Sequence, residues 1–218
     1  MKLALEYLIR EPKVKAEKNP VLLLLHGYGS NEHDLFSFAN ELPDEYFVIA
    51  AQAPYTLQYG SYAWYAINFD TDENKFSDEK QARKSRDLIV EFINQLLEKY
   101  PIDAEQVTLL GFSQGAILSY SIALSYPEKV QRVVALSGYL NEALCTENYK
   151  TNNFEKLRIF ISHGIVDQVI PVGWAQKAPQ LLHSLNIPNV YKEYNVGHGV
   201  APQNFVDLKN WLLETGRF

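Results

Sequence analysis

The sequence predicts an α/β fold built on a doubly wound, mostly parallel sheet that is flanked by helices. Short β-branched or leucine-rich runs recur along the whole chain, and several carry apolar residues at successive positions instead of alternating with polar ones, which is typical of strands buried on both faces. Helical patterns separate these runs, and alternating strands and helices favour a parallel sheet covered by helices. The predicted strands are residues 21–25, 46–51, 107–110, 130–136, 157–162 and 190–194.

The clearest helical pattern covers residues 81–100. Its apolar side chains, such as Leu88, Phe92 and Leu96, recur at three- and four-residue spacing, and Pro101 follows directly. Such spacing places apolar residues on one face of a helix, and a proline cannot continue the helix. We therefore expect an amphipathic helix here that packs on the sheet.

Two further helices are predicted over residues 114–125 and 203–213. Residues 172–185 form a weaker candidate, because Pro179 would remove an internal hydrogen bond and kink or split the helix. The segment 3–9 is expected to form an antiparallel edge strand. No internal repeat or low-complexity linker interrupts the chain, so its 218 residues predict one domain over 1–218.

The composition argues against several classes of partner. The net charge is −6 and the pI is about 5.4, so the chain has no basic field for nucleic acid or for a membrane surface. No segment approaches the roughly 20 apolar residues of a membrane span. The N-terminal segment lacks the pattern of a signal peptide, and Cys145 is the only cysteine, so no internal disulfide is possible. We expect a cytoplasmic protein.

The stretch "LLGFSQGAILSY" places Ser113 between Gly111 and Gly115, after a predicted strand and before a predicted helix. This is the arrangement of a nucleophile elbow, a turn so tight that only glycine fits on either side of the serine. Ser113 is the candidate nucleophile. The alternative is a structural role in a turn that tolerates glycine.

A serine hydroxyl needs a base within hydrogen-bond reach and a carboxylate that orients the base. In folds of this kind the order along the chain is serine, acid, histidine. His198 satisfies that order from the loop "NVGHGVAP", after the last predicted strand. Asp167 lies 31 residues earlier, just after another strand, and is the candidate acid, with capping of the next helix as its alternative role.

The other histidines fit less well. His26 and His33 precede Ser113. His183 lies among leucines in a helical pattern, and His163 comes before the acid, so both are interpreted as structural.

Attack on an acyl carbon creates an oxyanion that two N–H donors must stabilise. One donor is expected from the amide of Gln114, the residue after the nucleophile. The other is expected from Tyr28, because Gly27 and Gly29 allow a sharp turn after the first predicted strand. His26 is interpreted as a buried brace for this turn.

With these residues in place, the chain resembles the carboxylesterase/phospholipase family of α/β-hydrolases, which includes the acyl-protein thioesterases. The motifs that carry the resemblance are "LLHGYGS", "LLGFSQGA", "HGIVDQVIPV" and "GHGV". The resemblance implies an α/β-hydrolase fold, a monomer or homodimer, and cleavage of carboxylic esters or thioesters without metal or organic cofactor. Ser30 departs from the family, which commonly has aspartate at this place.

The segment 54–70 is unusually rich in aromatic residues and is expected to be irregular. Some of these side chains should wall an apolar acyl pocket, and Trp64, Tyr65 and Tyr28 are the residues chosen. The segment 141–153 is polar and is interpreted as a solvated connection.

A calcium-loop pattern begins at Asp70, with Asp72 and Asn74 at the third and fifth positions. Lys75 stands where the loop needs glycine and Gln81 where it needs glutamate, so no metal site is predicted.

The sequence thus favours a serine hydrolase in which Ser113, His198 and Asp167 form a catalytic triad and cleave small to medium acyl esters or thioesters. An acyl-protein thioesterase or lysophospholipase-type deacylase is the alternative with the same chemistry. A non-catalytic binding protein of the same fold is a third hypothesis, but no member of the triad is missing.

Overall fold

The computed structural model describes residues 3–69 and 75–215. The strands are β1 (Tyr7–Arg10), β2 (Asn19–Leu25), β3 (Phe47–Ala51), β4 (Tyr55–Gln58), β5 (Ser61–Ala63), β6 (Ile67–Phe69), β7 (Lys75–Ser77), β8 (Ile102–Phe112), β9 (Arg132–Leu136), β10 (Arg158–Gly164) and β11 (Asn189–Tyr194). The helices are α1 (His33–Phe36), α2 (Glu79–Lys99), α3 (Gln114–Ser125), α4 (Val172–Ala175), α5 (Ala178–Ser184) and α6 (Pro202–Thr215). Two short 3₁₀ helices, Glu142–Leu144 and Tyr149–Thr151, lie between β9 and β10.

Seven of the described strands form one sheet, in the order β1-β3-β2-β8-β9-β10-β11. Strand β1 pairs with β3 in the antiparallel direction, and the other pairs within this sheet are parallel. The predicted fold class is therefore confirmed; the antiparallel edge strand is present, but it covers Tyr7–Arg10 instead of the predicted residues 3–9. Because the central strands are parallel, their carboxyl ends meet at one edge, where ligands bind in open α/β sheets.

The apolar runs are continuous because helices cover both faces of the sheet. Successive residues of β2 belong to opposite layers: Leu23 and Leu25 pack with α2 and α3, whereas Leu22 and Leu24 pack with α6. Helix α3 is buried along its whole length, which explains its apolar character on every side. The residue before this helix is therefore held by the core of the protein.

The helical pattern over residues 172–185 is split into α4 and α5, one of the two outcomes that Pro179 predicts, and Pro179 lies in the first turn of α5, where its missing N–H costs no helical hydrogen bond. One prediction about local structure needs correction. The segment 54–70 was expected to be irregular, but it forms the β4–β5 hairpin and contributes β6 to a second hairpin with β7. The calcium-like positions Asp70, Asp72 and Asn74 lie outside the described residues.

Among the described residues, no helix combines the length and the apolar character that a membrane span requires.

Candidate active site

Ser113 occupies the sharp turn between β8 and α3. Its φ of 53° and ψ of −114° lie outside the regions that L-residues normally adopt. The Ser113 amide donates to the carbonyl of Leu136 on β9 at 2.9 Å, so the neighbouring strand helps to hold the turn. A strained serine at the end of a central strand is the geometry of a nucleophile elbow.

The two flanking glycines are required by close packing. A Cβ on Gly111 would lie 2.3 Å from the backbone of Gly115, and a Cβ on Gly115 would lie 2.0 Å from the carbonyl oxygen of Leu25. Both neighbours are backbone atoms within the core, so they cannot move aside cheaply. The spacing of the glycines seen in the sequence is therefore a steric requirement of the turn.

We expect Gly115→Ala to destabilise the protein by about 3 kcal/mol or more, because the new methyl group overlaps the backbone of β2. Gly173→Ala is the matched control, since a Cβ on Gly173 of α4 meets nothing within 4 Å. Urea unfolding measures both midpoints. Equal midpoints for Gly115→Ala and the wild type would contradict the proposed steric requirement.

His198 connects Ser113 to Asp167 through two hydrogen-bond contacts. His198 Nε2 lies 3.0 Å from Ser113 Oγ, and His198 Nδ1 lies 2.7 Å from Asp167 Oδ2. A carboxylate can only accept, so the proton lies on Nδ1 and the lone pair of Nε2 faces the serine hydroxyl. The structure thus brings together the three residues that the sequence selected, in the order that a general base requires.

The Asp167 carboxylate is fully buried and well supplied with donors. Its Oδ1 accepts from the amides of Val169 at 2.8 Å and Ile170 at 2.9 Å. Burial alone would raise the pKa of Asp167, but the hydrogen bond from His198 and the two amides outweigh burial, and the net pKa is lowered. Asp167 is therefore ionised when it holds His198.

His163 lies beneath this turn and was interpreted as structural from the sequence. Its Nε2 is 2.8 Å from the carbonyl oxygen of Ile170 and 3.3 Å from Asp167 Oδ2. Because a carbonyl accepts, the proton lies on Nε2, and the buried ring ties the Asp167–Ile170 turn to β10. His33 begins α1, with its Nε2 3.5 Å from the Glu32 carboxylate, and His183 lies in α5.

The turn after β2 faces the elbow. Gly29 has a φ of 78°, and its amide donates to the backbone carbonyl of Tyr62 at 2.9 Å. The amides of Tyr28 and Gln114, in contrast, have no acceptor in the described part of the chain, and both residues line the cavity that contains Ser113. Ser30 donates to Asp34 at 2.7 Å, so a hydroxyl supports the turn where the family commonly has an aspartate.

His26 braces this turn from below. Its Nε2 accepts from the Ala53 amide at 3.1 Å, so Nδ1 carries the proton and donates to the Gly27 carbonyl at 2.8 Å. Burial lowers the pKa of His26 and favours the neutral ring. The interpretation of His26 as a buried brace agrees with these contacts.

Trp64 was expected to wall the substrate pocket, and the structure contradicts this expectation. Its side chain is fully buried beneath the turn, and its indole N–H donates to the His26 carbonyl at 2.9 Å. Because the Trp64 indole N–H is hydrogen-bonded to the backbone and the ring is buried, Trp64 packs beneath the site and does not line the cavity. Sequence alone could not separate a buried tryptophan from one that faces a pocket.

The side chain of Gln114 has a role that the sequence did not reveal. Its Oε1 accepts from the Trp64 amide at 3.1 Å, and its Nε2 donates to the Tyr65 carbonyl at 2.8 Å. Both contacts are buried, so Gln114 fastens the aromatic segment to the start of α3. This clamp explains why a polar residue follows the nucleophile in the core.

A cavity of about 610 Å³ opens beside Ser113 and His198. Tyr28 and Tyr65, two of the three predicted pocket residues, line it. The sequence did not identify the other lining residues, which include Ile117 of α3, Trp174 of α4, and Tyr139, Asn141, Val169 and Ile170 from the loops after β9 and β10. The segment 141–153 is therefore not only a solvated connection. Among the described residues, no three His, Cys, Asp or Glu side chains are grouped so as to hold a metal ion.

Comparison with known proteins places this geometry in a family. The family model for phospholipases and carboxylesterases matches residues 7–215. An acyl-protein thioesterase 1 from Saccharomyces cerevisiae is 32% identical over 157 residues, which cover 70% of this chain and 68% of that protein. The acyl-protein thioesterase 1 from Candida albicans is 30% identical over 211 residues, which cover 88% of this chain and 89% of that protein.

Solved structures agree with the fold. The Bacillus cereus carboxylesterase superposes with a TM-score of 0.83 at 21% identity and covers 97% of this chain and 94% of its own. Esterase PE8 superposes with a TM-score of 0.81 at 25% identity and covers 99% of this chain and 100% of its own. The chain therefore belongs to the phospholipase/carboxylesterase family of α/β-hydrolases and is an enzyme, a serine hydrolase of the carboxylesterase type.

Proposed function

We propose that this enzyme cleaves carboxylic esters or thioesters of small to medium acyl chains through an acyl-enzyme intermediate on Ser113. The observation that carries the proposal is the hydrogen-bonded series from Ser113 through His198 to Asp167 at the mouth of a cavity. Nucleophile, base and orienting carboxylate are each within hydrogen-bond reach of the next group.

In the proposed mechanism, Ser113 Oγ attacks the acyl carbonyl while His198 Nε2 takes its proton. Asp167 accepts the hydrogen bond from Nδ1–H throughout, which fixes the tautomer and stabilises the imidazolium that forms. His198 then returns its proton to the leaving alcohol or thiol, and the acyl group remains on Ser113. Water, activated by His198, releases the carboxylic acid and regenerates the hydroxyl of Ser113.

The amides of Tyr28 and Gln114 are proposed to stabilise the oxyanion. Both donors lack a partner among the described residues, so they are available without breaking a hydrogen bond. Donors fixed before the reaction stabilise developing charge with little reorganisation, and loss of one such donor typically costs about 10²–10³ in rate. The rigid turns at Gly29 and Ser113 supply this preorganisation.

Substrate size is proposed from the cavity. A volume of about 610 Å³ accommodates a small-molecule ester, and Tyr28 and Tyr65 are proposed to contact the bound substrate. Protein deacylation is a second candidate, because the relatives from Saccharomyces cerevisiae and Candida albicans are named acyl-protein thioesterases. The chemistry is the same, so hydrolysis of an S-acylated peptide against a small ester separates the two.

The resemblance to the family further supports a monomer or homodimer, and the single cysteine favours a reducing compartment such as the cytoplasm. Both remain predictions.

A fluorophosphonate probe tests the proposed nucleophile directly. We expect one probe molecule to attach per chain, and mass spectrometry of the digested protein to locate it on Ser113, because only that hydroxyl contacts a histidine base in the described structure. Attachment at another residue, or a wild-type protein that remains unlabelled, would contradict the assignment. Prior incubation with a p-nitrophenyl ester should slow the labelling if the acyl-enzyme forms at the same oxygen.

A further inference from the structure

The cavity beside Ser113 is polar at one end. The side chains of Tyr65, Ser77, Tyr139 and Asn141 are grouped there, with Ser77 near enough to both tyrosines, and Asn141 to Tyr139, to lower the pKa that burial raises. All four residues line the cavity. We refer to these four residues as the hydroxyl cluster. A pocket meant only for hydrocarbon would not place four hydrogen-bonding side chains on its wall.

The hydroxyl cluster is rich in hydrogen-bond donors. Asn141 Oδ1 already accepts from the Ala143 amide at 3.1 Å, so its NH₂ group, with two hydrogens, is the part left for the cavity side. Each of the three hydroxyls brings one more hydrogen, so the four side chains that line the cavity carry five hydrogens in all. Burial raises the pKa of both tyrosines, so their hydroxyls remain neutral donors.

The charged residues beside the hydroxyl cluster favour an uncharged substrate group. Glu79 lines the same cavity, but Arg83 Nη2 lies 3.2 Å from its carboxylate, so Glu79 already has a counter-charge. An ammonium group would have to displace Arg83, whereas an anion would meet the carboxylate. An uncharged substrate group that both donates and accepts hydrogen bonds is complementary to the hydroxyl and amide groups of the cluster.

We propose that the cavity selects substrates that carry a neutral hydrogen-bonding group, a hydroxyl, on the part that lies against the hydroxyl cluster. The proposal rests on the proposed function, because Ser113 must attack the ester whose remote end the cluster binds. A site that hydrogen-bonds a substrate hydroxyl discriminates against the analogue that lacks it, since the polar groups of the site are then left unpaired. The hydroxyl belongs either to the acyl chain or to the alcohol portion, and the experiment separates these.

The test compares matched esters with and without a terminal hydroxyl. On the acyl side these are p-nitrophenyl octanoate and 8-hydroxyoctanoate, and on the alcohol side hexyl acetate and 6-hydroxyhexyl acetate. For one of the two pairs we expect the hydroxylated ester to have a kcat/KM higher by about 3- to 10-fold, the range that one net hydrogen bond supplies. The pair that shows the preference identifies the portion that contacts the hydroxyl cluster.

Two variants connect the preference to the cluster. Ser77→Ala removes the hydroxyl that lies near both tyrosines, and Tyr139→Phe removes one hydroxyl while keeping the ring edge-on to Trp174 at 5.1 Å. Each should reduce the ratio of hydroxylated to plain ester at least threefold. Ser184→Ala, an exposed serine of α5 whose hydroxyl donates to Leu181, is the control and should keep the wild-type ratio.

The outcomes separate this inference from the proposed function. If the wild type hydrolyses plain esters at least as well as hydroxylated ones in both pairs, the inference is wrong while the hydrolase remains. It is also wrong if Ser77→Ala and Tyr139→Phe both keep the wild-type ratio. If no ester is cleaved and a fluorophosphonate does not label Ser113, the proposed function itself fails.

Discussion

Ser113→Ala is expected to reduce kcat for p-nitrophenyl butyrate by about 10⁶-fold, because removal of a catalytic serine costs about as much as removal of the whole triad. The variant keeps the cavity and the amides of Tyr28 and Gln114, so KM should change little. Alanine also lacks the hydroxyl that lies 3.0 Å from His198 Nε2, so no acyl-enzyme can form at residue 113.

The measurement is steady-state hydrolysis together with fluorophosphonate labelling of both proteins. Ser37→Ala is the control, since this exposed serine only donates to the Asp34 carbonyl, and it should keep wild-type rates. A residual rate within tenfold of the wild type would show that another residue is the nucleophile. Circular dichroism of Ser113→Ala excludes unfolding as the cause of lost activity.

Much of the fold was predictable because the sheet is parallel and buried. Residues 21–25 are apolar at every position, and 107–110 at every position but Thr108, since helices cover both of their faces, and nearly continuous runs of this kind are easily recognised. The proline at 179 also predicted a break, although sequence alone did not decide between a kink and two helices. The short hairpins of the segment 54–70 were missed, because three- and four-residue strands leave no clear periodicity.

The candidate triad was predictable for a different reason. Gly111 and Gly115 mark a turn where a Cβ would overlap the backbone, and the order of Ser113, Asp167 and His198 follows the order of strand ends. Constraints of this kind leave a recognisable pattern in the sequence. The site residues that depend on local backbone geometry can therefore be predicted from the sequence alone.

The cavity wall was not predictable in the same way. Its residues come from separate helices, strands and loops, and their side chains meet only in the folded protein. Trp64 shows the difficulty: its indole faces the His26 carbonyl instead of the cavity, and no pattern in the sequence distinguishes these two directions. Asn141 shows the reverse case, a polar loop residue that proves to line the cavity.

Asp167→Asn is expected to lower kcat by about 10⁴-fold while leaving the fold intact. The oxygen of an asparagine still accepts from the Val169 and Ile170 amides, which directs its NH₂ group toward His198. His198 Nδ1 must then accept a hydrogen bond, so the proton moves to Nε2. The ring in that tautomer cannot take the proton of Ser113, and the serine is not activated.

Asp207→Asn is the matched control. Asp207 is also a hydrogen-bonded carboxylate with a lowered pKa, chiefly through its contact with Lys192 at 2.9 Å, but it lies on α6 away from the cavity. Its replacement should leave kcat within about twofold of the wild type, because Asp207 does not line the cavity and its carboxylate contacts Lys192, Tyr194 and Gln203. Equal losses of kcat in both variants would indicate a general effect of removing charge and would contradict the tautomer argument.

The pH dependence of stability gives a second measurement for the same variant. The pKa of Asp167 is lowered in the folded protein, so its ionised form stabilises the fold above the ordinary aspartate value of 3.8. That contribution is lost as the pH falls below 3.8 and through the folded pKa, where Asp167 becomes protonated. Asparagine does not titrate, so the stability difference between wild type and Asp167→Asn should shrink over this acidic range. A difference that stays constant from pH 6 to pH 3 would show that the Asp167 carboxylate is not held in its ionised form by His198 and the two amides.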